Sequence, residues 1–136
     1  MSGSLKIEIV TPEGVVFSED ALLVGLPARD GAIGVLPHHV HLMTQIVPGE
    51  ITVRSTSGDR YLAVGEGLAE ITADHVTVVT DMAVAVDTID EAKAEEARER
   101  AAARLRDKIS DEEVASVNAS LARSLAQLRV KRRHRA

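Results

Sequence analysis

The sequence predicts a two-part α+β chain: an N-terminal antiparallel β-sandwich of about ten short strands, then a C-terminal antiparallel two-helix hairpin. Three observations carry this expectation. Short runs with apolar residues on alternate positions fill the first 87 residues. Turn residues punctuate those runs at close, regular intervals. At Thr88 the apolar period changes from two to three or four. The implied division is residues 1–87 for the sandwich and 88–136 for the hairpin.

Leu5-Lys6-Ile7-Glu8-Ile9 alternates as a half-buried strand does, and Thr11-Pro12-Glu13-Gly14 turns the chain back. Val15-Val16-Phe17 follows, then Glu19-Asp20, then Ala21 to Leu26. Further strands are expected at Glu50 to Ser55, Arg60 to Val64, Gly67 to Thr72 and His75 to Thr80. Pro48-Gly49, Ser57-Gly58-Asp59, Gly65-Glu66-Gly67 and Ala73-Asp74 separate them. The stretch from Pro27 to Pro48 breaks the pattern. It reads as a long connection holding one short buried strand around Val40 to Ile46.

Thr88-Ile89-Asp90-Glu91 has the make-up of a capping box, so the first helix is expected to start there and run to about Asp107. Ala94, Ala97, Ala101 and Leu105 share one of its faces. Ser110-Asp111-Glu112-Glu113 is a second capping box, and Val114, Val117, Leu121, Leu125 and Leu128 form the stripe of the second helix. A loop of about three residues forces the two antiparallel. A lone helix pair buries little, so hydrophobic burial predicts that it rests against the sandwich.

Phe17 and Tyr61 are the only aromatic residues, which leaves the core to Val, Ile, Leu and Ala. With no cysteine, a disulfide framework and a thiolate metal site are excluded. No apolar run reaches the roughly 18–20 residues of a membrane helix, and strand-like alternation at Leu5 leaves no room for a signal peptide. The net charge of −5 conceals an asymmetry. Residues 1–87 hold 4 basic against 12 acidic residues, and residues 88–136 hold 12 basic against 9 acidic. Halves of opposite sign suggest different partners.

Catalytic constellations are missing: no G-x-S-x-G turn, phosphate loop or H-E-x-x-H helix occurs. His38, His39 and His41 form one cluster with metal-ligand chemistry, but adjacent strand residues point to opposite faces, so only His39 and His41 can share a side. Locally hydrogen-bonded loop histidines are the alternative. The sharper feature is the end of the second helix. Arg123, Arg129, Lys131, Arg132, Arg133 and Arg135 follow Glu113 with no intervening acid. Such a run complements the helix dipole, or it grips an acidic surface. Nucleic acid is disfavoured, since the rest of the chain is acidic and offers almost no aromatic stacking.

In order and spacing, several segments resemble the epsilon subunit of bacterial F-type ATP synthases. They include Val10-Thr11-Pro12-Glu13-Gly14, Gly31-Ala32-Ile33-Gly34-Val35-Leu36-Pro37-His38-His39, Ala63 to Glu70, Val76 to Ala83 and Ala126-Gln127-Leu128-Arg129-Val130. The resemblance implies a non-catalytic central-stalk subunit that couples c-ring rotation to ATP synthesis through the gamma subunit. Its place would be peripheral, on the cytoplasmic face of the cell inner membrane, with indirect membrane contact. The docking loop towards gamma and the c ring would hold Gly31, Ala32, Gly34 and His39. The basic face that meets an acidic segment of the beta subunits and inhibits hydrolysis would hold Arg123, Arg129, Lys131, Arg132 and Arg133, with the residues after Val130 fraying.

The resemblance requires no cofactor. It does suggest ATP as a weak regulatory ligand, because Ile89-Asp90-Glu91-Ala92-Lys93-Ala94 is similar to an Ile/Leu-Asp-x-x-Arg-Ala motif of some members. The residues would be Asp90, Lys93 and Arg100. Lys93 replaces the arginine and loses its bidentate fork, while Val84 stands where an acid is usual. Plain first-turn helix charges are the alternative for Asp90 and Lys93. The rival to the whole reading is a free-standing β-sandwich binding module with a capping or dimerising hairpin.

Overall fold

The computed structural model describes residues 4–135. Ten strands come first: β1 (Leu5–Thr11), β2 (Gly14–Ala21), β3 (Leu23–Ala28), β4 (Gly31–Val35), β5 (Leu42–Ile46), β6 (Gly49–Ser55), β7 (Gly58–Val64), β8 (Gly67–Ile71), β9 (His75–Thr80) and β10 (Ala83–Ala85). A 3₁₀ turn (Val86–Thr88) leads to α1 (Glu91–Arg104) and α2 (Asp111–Arg133).

The strands pair in the order β10-β7-β6-β3-β5-β8-β9-β1-β2, with β4 on β3. The β3–β5 link is a single register pair, Ala28 with Ile46, so the sheet folds there into two layers. Inward residues of both layers meet in one core. Val24, Leu26, Ile51, Val53, Leu62 and Val64 come from one layer, and Leu5, Ile7, Ile9, Ile71, Val76 and Val78 from the other. As the composition requires, the largest fully buried side chains are all Leu, Ile and Val. Phe17 packs against this core only partly buried.

Three expectations need correction. The sheet is antiparallel except where β1 runs parallel to β9, placing Ile7 beside Val76. A parallel neighbour needs a long crossover, here the whole intervening sandwich. The stretch from Pro27 is also less irregular than its composition suggests. Gly31 takes a φ of 129°, open to glycine alone, and closes a tight β3–β4 hairpin in which Ala28 faces Gly31. Strand β4 is missed by a search for alternation because it lies mostly exposed.

The third correction concerns the helix ends. Thr88 does not cap α1: its hydroxyl donates to the Ala85 carbonyl at 2.9 Å and closes the 3₁₀ turn. Asp90 is the cap, accepting from the Lys93 N–H at 3.1 Å. The second capping box forms as expected, with Ser110 Oγ taking the Glu113 N–H at 3.2 Å. Helix α1 ends at Arg104 rather than Asp107, and α2 continues through Lys131 and Arg132 to Arg133.

The hairpin lies on the sandwich, as burial predicted. Val130 is enclosed with Ala63 of β7 and Ile89, and Tyr61, Met82, Val84 and Val86 pack around them. This changes the stripe on α2. Leu125 is 37% exposed, whereas Ser124, Ala126, Leu128 and Val130 are buried. At about 100° per residue, Ser124 and Leu128 continue the stripe of Val117 and Leu121, while Ala126 and Val130 lie on the opposite side. The end of α2 is therefore held between α1 and the sheet.

Gly67 sits where a Cβ would lie 1.9 Å from the Val79 carbonyl oxygen. The Gly67→Ala substitution is expected to destabilise the chain by about 2–3 kcal/mol, because backbone rather than a side chain must move. Thermal unfolding measures it, and an unchanged midpoint would show that β8 and β9 separate freely.

Candidate partner-binding surfaces

Each cation of the basic run finds an acceptor within the chain. Arg123 donates to Asp81 at 3.1 Å, across Gly65, where a Cβ would lie 1.8 Å from the same carboxylate. Arg129 reaches the Pro48 carbonyl at 3.4 Å, and Lys131 the Val86 carbonyl at 3.2 Å. Arg132 spans two carboxylates of α1, Glu91 at 3.0 Å and Glu95 at 2.9 Å. Arg133 donates to Glu50 at 3.3 Å, and Arg135 donates to Glu91. His134, which no sequence motif marks, stacks on Tyr61 with ring centroids 3.7 Å apart and pairs with Glu50 at 3.0 Å. A lone histidine after an arginine cluster carried no signal; its partners lie more than 70 residues earlier.

The docking-loop residues fall into two places. Gly31, Ala32 and Gly34 lie on the β3–β4 hairpin, with Ala32 opposite Pro27 and Gly34 opposite Gly25. His39 sits in the following loop, its Nδ1 2.6 Å from the Val40 carbonyl oxygen. His41 turns instead to Glu70 at 3.2 Å. Among the described residues no group of three or more His, Cys, Asp or Glu is placed to hold a metal ion.

A third surface was not foreseen. The register places Leu68 beside Val79, Val79 beside Val10, and Val10 beside Val15, a cross-strand apolar row over β8, β9, β1 and β2. Leu68 is 49% exposed, Val79 54% and Val15 59%. An apolar row of this length on an outer sheet face marks a contact surface. The signal was present in Val76-Thr77-Val78-Val79, where apolar character breaks the alternation of a half-wet strand.

Residues 4–86 match the family model for the β-sandwich domain of the ATP synthase delta/epsilon chain, and residues 87–132 match that for its long α-helix domain. The ATP synthase epsilon chain of Alkalilimnicola ehrlichii is 37% identical over 133 residues, spanning 97% of this chain and 95% of the relative. That of Bordetella avium is 38% identical over 133 residues, spanning 97% and 94%. The chain belongs to the epsilon-chain family of F-type ATP synthases.

As an epsilon chain it is a non-catalytic subunit of the complex. Its fold also matches, with a TM-score of 0.72 at 20% identity, a chain in the Euglena gracilis mitochondrial ATP synthase (OSCP/F1/c-ring), covering 88% of this chain and 76% of that one. A chain in the Tetrahymena thermophila mitochondrial ATP synthase central stalk and c-ring matches at 0.62 and 12% identity, covering 97% and 96%.

The nucleotide candidates of this epsilon chain do not converge. Asp90 is committed to capping α1. Arg100 lies 4.0 Å from Glu96, and it lines a groove between α1 and α2 with Ala97, Ala101, Arg104 and Val117, which neither Asp90 nor Lys93 reaches. Val84, which stands where an acid is usual in the resembled motif, packs against the cluster of Ala63, Ile89 and Val130. A carboxylate there would sit in an apolar contact.

Hydrogen bonds from Arg135 and then Arg132 hold the Glu91 carboxyl below its ordinary range. Arg98, then Arg132, does the same for Glu95. A depressed carboxyl contributes stability above its ordinary value near 4.5 and loses it as the pH falls through its lower value in the folded chain. Acidification below about pH 4 should therefore loosen the α1–α2 contact while the uncharged sandwich core holds. Amide spectra recorded from pH 7 to pH 3 follow this, and helix and sandwich resonances changing together would contradict it.

Proposed function

We propose that this epsilon chain couples c-ring rotation to ATP synthesis through the gamma subunit, and that its α2 helix, once released, restrains ATP hydrolysis. The observation that carries the regulatory half is the basic end of α2, where Arg132 and Arg133 stay half-exposed or more while paired with the partly buried carboxylates of Glu91 and Glu50, so that an acidic segment of a beta subunit can reach them. Ion pairs whose cation stays in contact with water contribute little each, so a partner's carboxylates can compete for the arginines. The sandwich serves as the docking platform. Its apolar row suits gamma, and the Gly31–Gly34 hairpin with the His39 loop suits gamma and the c ring.

This reading places the chain peripherally on the cytoplasmic face of the inner membrane, bound through protein partners. No helix among the described residues is long and apolar enough to cross a membrane. ATP is a weak regulatory ligand in this scheme, for want of a convergent phosphate site.

Removing residues 111–136 is expected to raise ATP hydrolysis by the reconstituted enzyme and leave its assembly unchanged. Equal hydrolysis with and without the segment would refute the inhibitory role. Titration of the isolated chain with ATP should shift helix resonances only near millimolar concentration, about 4 kcal/mol of binding. Saturation at micromolar ATP would overturn the weak-ligand reading.

A further inference from the structure

The cations that the inhibitory reading assigns to a partner are already engaged inside this chain, and α1 supplies the most concentrated acceptor. Glu91 is its first residue and takes both Arg132 and Arg135. Glu95, one turn on, takes Arg132 with its second oxygen, while Oε1 accepts from Arg98. Two carboxylates one helical turn apart thus present to α2 the spaced negative charges that an acidic helix or strand of a partner would present. We infer that Glu91 and Glu95 are an internal substitute for the partner's acidic segment, so that separating the helices is what makes Arg132 and Arg135 available to bind.

The geometry separates this pair from the other contacts. Arg123 with Asp81, and Arg133 and His134 with Glu50, tie α2 to the sandwich. Only Arg132 and Arg135 tie the end of α2 to the start of α1. An acid at the first turn of α1 is also favoured by the helix dipole, which accounts for a carboxylate at position 91 but not for two arginines converging on it. Arg132 is half-exposed and Glu91 about a third exposed, so salt and competing carboxylates reach the contact. The device deepens the regulatory reading above and rests on it only for the consequence in the assembled enzyme.

The chain contains no cysteine, so label pairs can be introduced without background. Cysteines at Ala92 and at the exposed Leu125 report the separation of the start of α1 from the end of α2 by spin-label distance measurement. In the full chain, Glu91→Gln with Glu95→Gln should raise the ratio of open to closed hairpin about tenfold at low salt and flatten its salt dependence. Arg132→Gln with Arg135→Gln should open the hairpin to a similar extent, and combining the two double variants should add little further opening, which separates a lost ion-pair cluster from a damaged helix. Equal open populations in wild type and the Glu91→Gln, Glu95→Gln variant, or fully additive opening when the two double variants are combined, would overturn the inference. In the reconstituted enzyme the Glu91→Gln, Glu95→Gln variant should hydrolyse ATP more slowly. An opened hairpin with unchanged hydrolysis would uphold the internal contact and refute the inhibitory role of the basic face.

Discussion

The behaviour of the hairpin depends on how the last two turns of α2 are held. Val130 and Ala126 face the sheet, while Ser124 and Leu128 continue the stripe towards α1. Neither contact is large. The enclosed residues of the seam to the sandwich are Ala63, Ile89 and Val130, and the α1–α2 contact buries Leu128 and Ser124 of α2 with Ala94 and Ala101 of α1. Burying one Val contributes roughly 1.5–3 kcal/mol, and an alanine much less. The flanking ion pairs add little each. The docked state is therefore held by a few aliphatic side chains, Leu128, Val130 and Ile89 chief among them, with the ion pairs at their edge.

The sandwich is built differently. Its core joins both layers through Leu, Ile and Val side chains that are almost wholly enclosed. Pulling one strand away would expose several of them together, so the layers move as one body. The contrast fits the roles proposed for the two parts. A platform that carries an exposed row of Leu68, Val79, Val10 and Val15 must keep its strand register, because a one-residue slip would turn the row inward. A regulatory arm must do the reverse and part from its support at small cost.

Much of this was legible in the residues. Alternation in β1, β6 and β9 and the capping box at Ser110 are local signals, and the structure keeps them. What was not legible came from contacts between distant positions. Strand β4 carries little alternation because it lies on an exposed edge. The burial of Val130 and the exposure of Leu125 follow from α2 having two neighbours, whereas the periodicity of a single stripe assumes one. The partners of the basic run were hidden for the same reason: the charges were plain in the sequence, but Asp81, Glu50 and Glu91 lie about 40 to 85 positions away along the chain.

The near-absence of aromatics now has a physical meaning beyond a lean core. A further, fully buried aromatic ring in the hairpin seam would bury far more surface than valine or alanine and would hold α2 down more firmly. Among the described residues the ring at this seam is Tyr61, which packs only partly buried beside Ala63, Ile89 and Val130 and stacks on His134 just past the helix. Under the proposed regulation, aliphatic contacts along the helix and ion pairs at its tip would have to leave the closed and released states close in free energy. That balance is what an arm answering to a partner's surface requires, since a ligand shifts an equilibrium only by its difference in affinity for the two states.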